Sequence, residues 1–226
     1  MNSIGTIRES SLHRDLKFRY SETGETEVSK GDFVFDGQRK NGELIEVQTG
    51  SFAPLVKKIE TLSKKEKIRV IHPIIINKFI ELYDLDGNFL HKRKSPKKGC
   101  PWDVFAVLVY APELPLNPRV TVELAFLDVV EKRKDDGKGS WRRKGITIMD
   151  RVPVGWHKSI ILKTLKDYYQ FIPVQKETFT VKDLSDWAGI PKSLARKCLY
   201  VLNKMALIEQ VGKQKNAYVY KKRRKG

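Results

Sequence analysis

GDFVFDGQRKNGELIEVQTG, residues 31–50, decides how the rest of the chain is read. Two apolar runs, FVF and LIEV, flank a polar turn, and this spacing predicts a β-hairpin. Side chains two apart on a strand share a face. Ile45 and Val47 therefore point into a core while Glu46 and Gln48 point away from it. Asp32, Val34 and Asp36 share a face opposite Phe33 and Phe35. An antiparallel register that sets Asp32 across from Gln48 also sets Val34 across from Glu46. Asp32 and Glu46 are then diagonal neighbours, close enough to hold one divalent cation. Two carboxylates at one spot repel, so either one binds a proton or a metal neutralises the pair. Mg²⁺ or Mn²⁺, which take oxygen ligands and keep several waters, suits them. Asp36, just ahead of Gly37, reads as a turn residue.

Outward from the hairpin, the spacing of Leu12, Leu16 and the aromatic residues after it predicts a first helix over residues 8–20. A strand through EVSKG leads into the hairpin. In SFAPLVKKIETLSKKE, Ser51 can cap, Pro54 suits a first turn, and Leu55, Ile59 and Leu62 mark one face of a second helix. KIRVIHPIII is β-branched and almost wholly apolar, as a strand buried on both faces would be. A strand-helix-strand crossover implies parallel pairing, so the expected core is α/β with a mixed sheet. Further along, FIELYDLDGNFLHKRK predicts a hairpin turned at Asp86-Gly87, and WDVFAVLVYAPEL a helix ending before Pro112. The segment 119–152 reads as a long hairpin with a basic Asp-Gly-Lys-Gly tip, and 156–171 as a helix.

The last fifty residues have their own pattern. Thr180 is a cap, Val181, Leu184 and Trp187 are core positions, and Gly189 is a stop. A second helix follows with Leu194, Cys198, Leu199, Leu202 and Met205 facing inward, and then a strand-turn-strand with Lys213, Lys215 and Asn216 at its tip. Helix, short turn, helix and basic hairpin is the winged helix-turn-helix pattern. From residue 177 onward, twelve Lys and Arg stand against four Asp and Glu.

The whole chain, 226 residues, carries 44 Lys and Arg against 27 Asp and Glu, a formal charge of +17. Such an excess makes most sense opposite a polyanion, and nucleic acid is the expected partner. No apolar run reaches the length of a membrane span, no amphipathic helix with a basic face stands out, and the N-terminus lacks a secretory stretch. A cytoplasmic protein with no membrane partner is expected. Cys100 and Cys198 are far apart and encode neither a disulfide framework nor a zinc site.

The element order and the Gly31-Asp32 and Glu46-Val47-Gln48 motifs resemble the PD-(D/E)XK, or restriction-endonuclease-like, nuclease superfamily. The resemblance covers about the first eighty residues. It implies a metal-dependent nuclease in which Asp32 and Glu46 bind Mg²⁺ or Mn²⁺, Gln48 positions the attacking water, and Glu9 is the first-helix acid. From the residues alone, Glu9 could equally favour the helix N-terminus through the dipole. Gln48 departs from the usual Lys; an ammonium could activate the water electrostatically, whereas an amide only orients it. The full chain also looks similar to uncharacterised bacterial proteins with a nuclease-like start and a winged-helix end.

The expected layout is therefore a nuclease core over 1–98, a middle extension with a basic hairpin over 99–172, and a winged-helix domain over 173–226. In the last, Lys192, Ser193, Arg196 and Lys197 are candidates for the major groove, and Lys213 and Lys215 for the backbone. The expected function is a duplex-DNA endonuclease. A non-catalytic DNA-binding regulator or assembly factor on a degenerate nuclease fold is the alternative, an RNA nuclease or RNA-binding protein a third reading, and a homodimer stays open.

Overall fold

Ser10 accepts a hydrogen bond from the His13 backbone N–H and so starts helix α1 (Ser11–Tyr20). The computed structural model describes residues 9–173 and 175–223. After α1, strands β1 (Val28–Lys30) and β2 (Phe33–Phe35) form a separate two-stranded hairpin. Strand β3 (Gly37–Gln38) then pairs antiparallel with β4 (Leu44–Val47). Helix α2 (Leu55–Leu62) crosses to β5 (Ile68–Tyr83), which lies parallel to β4, so the expected crossover is formed.

β5 is sixteen residues long, and its distal half pairs with β6 (Phe89–Lys94) across the expected Asp86-Gly87 turn. A 3-10 turn at Pro101–Val104 leads into the short helix α3 (Phe105–Leu108). β7 (Val120–Asp135) runs parallel to β5 along almost its whole length, and β8 (Ile146–Trp156) returns antiparallel to β7. β9 (Ile160–Leu162) covers the first half of β7. The result is α/β, with a seven-stranded mixed sheet ordered β3-β4-β5-β7-β8, β6 and β9 attached to its two long strands.

Burial follows from this layering. Leu12 and Leu16 of α1 pack with Ile45, Val47, Ile71 and Leu127 on one face. Leu55 and Ile59 of α2, with Phe105 and Leu108 of α3, pack with Leu44, Ile68, Val70 and Val122 on the other. Because both faces are covered, the first five residues of β5 are all buried, as its β-branched composition predicts.

Three expectations change. Residues 156–171 are not a helix: Ile160–Leu162 alternate in exposure and pair with β7, and only Leu165–Phe171 coil, as a 3-10 segment. The helix expected after Trp102 shrinks to α3. The segment 99–172 is no extension, because β7, a central strand, comes from it.

At the C-terminus, β10 (Thr178–Phe179), α4 (Val181–Ala188), α5 (Lys192–Lys204), β11 (Ile208–Gln214) and β12 (Ala217–Lys222) follow in order. The three strands form an antiparallel sheet ordered β10-β12-β11. Thr180 caps α4 in a reciprocal box with Asp183, as its sequence position predicts. Lys176, bonded to Asp183 ahead of Thr180, holds that carboxyl down at about 2. Leu184 of α4 and Ala195, Cys198, Leu199 and Leu202 of α5 belong to the same hydrophobic core as the main sheet. Trp102 makes edge contacts with both Phe171 and Trp187, so the core runs unbroken across residue 173. No helix among the described residues is long and apolar enough to cross a membrane.

Candidate functional site

The antiparallel ladder of β3 and β4 sets Gly37 opposite Ile45 and Gln38 opposite Leu44. One further step along that register brings Asp36 beside Glu46. The expected register, Asp32 across from Gln48, is therefore not formed. Gly31, at φ +57°, makes a tight turn with Asp32, so β1 folds back on β2 and Asp32 lies exposed at the tip of that hairpin. Asp36, read from sequence as a turn residue, is the carboxylate that meets β4. Its Oδ2 accepts the Val47 backbone N–H at 2.7 Å.

Three groups on α1 and its N-terminal flank converge on this point or point toward it. His13 Nε2 lies 3.2 Å from Asp36 Oδ1, Lys17 Nζ 3.5 Å from the same oxygen, and Glu9 Oε1 3.2 Å from Lys17 Nζ and 3.6 Å from His13. Their spacing, residues 9, 13 and 17, puts one side chain per turn on a single face. The hydrogen bond with Asp36 raises His13 above its ordinary 6.5, outweighing burial. Burial alone would raise Asp36, but the bonds from His13 and the Val47 N–H bring it below its ordinary 3.8. Glu9 is thus joined to the cluster, through two cations, as the outer member.

Glu46 faces α2, where Lys58 Nζ is ion-paired with its Oε2 and also donates to the Val34 carbonyl at 2.5 Å. The same ammonium lies 3.9 Å from the centre of the Phe35 ring. Lys58 is 9% exposed, on the stripe that also buries Leu55 and Ile59. Burial pushes Glu46 above its ordinary 4.5 despite Lys58, and the negative charge of Asp36 adds in the same direction. A carboxylate so placed gains from a neighbouring positive charge.

Gln48 is held otherwise than expected. Its Nε2 donates to the Ser51 carbonyl at 2.5 Å, and its backbone carbonyl, separately, contacts His72 Nδ1 at 2.7 Å. The amide therefore ties down the turn that leads to α2. Its neighbour Thr49 borders a cleft of about 350 Å³ that also takes in His72, Lys78, Lys97, Asp103 and Arg151. Lys78, Arg133 and Arg151 all surround the buried Glu131, three cations on one carboxylate. Among the described residues, no group of three or more His, Cys, Asp or Glu is arranged to hold a metal ion.

The other candidates lie on the C-terminal unit. Lys192, Ser193 and Arg196 are exposed on the first turns of α5, Lys197 is half-buried, and Lys213 and Lys215 are exposed around the β11–β12 turn. Lys213 Nζ stands 4.8 Å from the Tyr218 ring. The closing basic run continues into residues 224–226, outside the described residues. Asp36, Lys17 and Lys58 escaped the sequence reading. Lys58 left a plain signal of its own, a charge on an otherwise apolar helix stripe.

The fold defines an α/β protein built on a mixed sheet with a cluster of paired charges at the end of β4. The chain belongs to a family described as a domain of unknown function, DUF8091, whose model matches residues 10–163. It is 29% identical over 150 residues to a protein of Treponema pallidum (strain Nichols) described as uncharacterized. That match takes in 66% of this chain and 60% of the relative's length. No solved structure matches. The family's residues include Asp36, Glu46 and Lys58 and stop short of α4.

Proposed function

We propose that the chain is a DNA endonuclease, a divalent-metal-dependent phosphodiesterase on a restriction-endonuclease-like core, brought to duplex DNA by a C-terminal winged helix. The observation that carries this reading is the pair of carboxylates at the end of β4, Asp36 on the Val47 N–H and Glu46 on Lys58, on a chain of charge +17. In this reading Asp36 takes the place expected for Asp32. Lys58 supplies from α2 the cation that Gln48, just past β4, cannot supply.

Asp36 and Glu46 fit Mg²⁺ or Mn²⁺ in donor type, as hard oxygens for an ion that keeps several waters. They would hold it through their carboxylates. When bound, such an ion lowers the pKa of a water and polarises a phosphoryl oxygen. The chain's own groups do the remaining work. The Val47 N–H fixes Asp36 Oδ2, while His13 Nε2 stands 3.2 Å from Oδ1, so the carboxylate keeps one orientation. Lys58 holds an ammonium beside Glu46, where it stabilises charge developing on a phosphate oxygen. Lys78, Lys97 and Arg151 line the neighbouring cleft and match the phosphates of a bound strand.

For the reader, α4, α5 and the β11–β12 hairpin have the order a winged helix requires. Lys192, Ser193 and Arg196, with Lys197 beside them, suit the major groove; Lys213 and Lys215 suit the flanking backbone. A second reading, DNA binding without cleavage, is favoured by one observation: Lys58, Lys17 and His13 already pair both carboxylates. Incubating the protein with supercoiled plasmid in Mg²⁺, Mn²⁺ or EDTA separates them. Nicking that needs metal supports the nuclease. A low-salt gel shift with no nicking in any condition transfers the chain to the second reading.

A further inference from the structure

The β7–β8 hairpin ends on an aromatic ring in water. Trp141 is 84% exposed, the most exposed large hydrophobic side chain among the described residues. The sequence has four tryptophans; burying such a ring removes roughly 150–250 Å² from water, so leaving one at a tip forgoes a large stabilisation.

The tip that presents it is built rather than loose. The N–H of Gly139 donates to the Gly145 carbonyl at 2.6 Å, that of Arg143 to Ser140 at 2.9 Å, and that of Lys144 to Trp141 at 3.0 Å. Arg143 Nε reaches the Ile146 carbonyl at 3.2 Å, and Thr147 Oγ1 reaches Asp136 at 2.7 Å. Gly139 is required: a Cβ there would lie 1.9 Å from the Ile146 carbonyl oxygen. A fixed loop offers its ring with little ordering left to do on binding.

Charge complementarity identifies the partner. Lys138, Arg142 and Lys144 are exposed around the ring, and the Arg142 guanidinium lies 5.7 Å from its centre. Of the two acids on the other arm, Asp136 is engaged by Thr147 and the Lys138 N–H, and Asp135 is exposed at the end of β7. On the far side of the same sheet, Lys92, Arg93 and Lys94 of β6 are all exposed. Cations ask for phosphate, and a flat ring asks for a π-face. A duplex keeps its base faces stacked internally except at its two ends, whereas each unpaired base along a single strand offers one.

We infer that Trp141 stacks on an unpaired base, so that the preferred substrate is DNA with single-stranded character: a tail, a gap or a branch. The inference rests on the reading of the chain as DNA-binding, and not on cleavage. The test is done in EDTA with the full chain, titrating a fluorescein-labelled blunt duplex and the same duplex with a ten-nucleotide single-stranded tail. Wild type binds the tailed form more tightly. W141A loses about 5- to 150-fold of affinity for that form, the range of one base–aromatic stack, and little for the blunt one. W141F restores most of it.

A tail preference that W141A leaves unchanged overturns the inference. So does absence of binding to either DNA, or Trp141-dependent binding to phosphatidylserine vesicles without a tail preference, which would assign the tip to a membrane surface. Cleavage in Mg²⁺ is scored separately, so failure of the nuclease reading leaves this result legible.

Discussion

Lys58 occupies a position that helical spacing assigns to an apolar side chain, three residues after Leu55 and one before Ile59. A lysine suits the position because its ammonium lies over the Phe35 ring and also reaches Glu46 and the Val34 carbonyl. Removing the ammonium strands a buried carboxylate. Lys58→Met should therefore cost about 3 kcal/mol of stability at pH 7, the low end for one partner of a buried pair, measured by urea denaturation. Much of that loss should disappear when Glu46→Gln is added. A Lys58→Met variant as stable as wild type would make the pair incidental.

His13 and Asp36 make a pH prediction on the same scale. The folded pKa of His13 is raised, so its contribution is fully present below the ordinary 6.5 and fades as pH climbs through the raised value. That of Asp36 is lowered, so its contribution is present above the ordinary 3.8 and fades as pH falls through the lowered value. The pair stabilises most between those two ordinary values. His13→Asn should lose ~1.5 kcal/mol there, the scale of a hydrogen bond to a charged group, and much less once pH has passed well above 6.5. Melts across the pH range would show this; a difference independent of pH would contradict it.

At the scale of elements, Arg69 clips the sheet together. It stands in β5 with Nε 2.8 Å from Glu43, just before β4, and Nη1 2.5 Å from Glu123 in β7. All three are buried, so Arg69→Leu leaves Glu43 with only the more distant Arg39 and Glu123 with only the Tyr20 hydroxyl, and should cost about 3 kcal/mol by denaturant titration. An unchanged midpoint would mean the strands need no such tie.

The elements also tell what the sequence could disclose. The crossover β4-α2-β5 was legible, because apolar β-branched runs on both sides of an amphipathic helix admit little else. So were the Asp86-Gly87 hairpin, the β7–β8 hairpin and the Thr180 cap. The pairing within 28–48 was misread although its signal was present. Gly31-Asp32 is a two-residue turn between VSK and FVF, and recognising it frees Asp36 to pair with β4. The error in register was two residues, which keeps every side chain on its face and so leaves no hydrophobic clue. Residues 156–171 misled for another reason. A three-residue strand such as Ile160–Leu162 has no period of its own and exists through its partner β7.

Across the whole molecule, the boundary at residue 173 divides segments but not cores. Trp187 of α4 stacks edge-on with Trp102, α3 packs on α5, and both belong to one apolar cluster with the sheet. The full chain should consequently unfold in one transition, with Trp102→Ala lowering a single midpoint. Two separate transitions by calorimetry would show that the C-terminal unit is stable alone. In the proposed reading, this continuity would join a nucleic acid bound at α5 to the core that carries β4.

The most direct measurement compares Asp36→Asn with Asp32→Asn in Mn²⁺-dependent nicking of supercoiled plasmid. The amide oxygen that Asp36→Asn introduces can still accept the Val47 N–H, so the fold is kept while a charged ligand is lost. Asp32 lies exposed in its turn, away from β4. The account predicts that Asp36→Asn slows nicking by ~10²-fold or more, and that Asp32→Asn cuts as wild type does. Nicking that survives Asp36→Asn but is lost with Asp32→Asn, or no metal-dependent nicking by the wild-type protein, would contradict it.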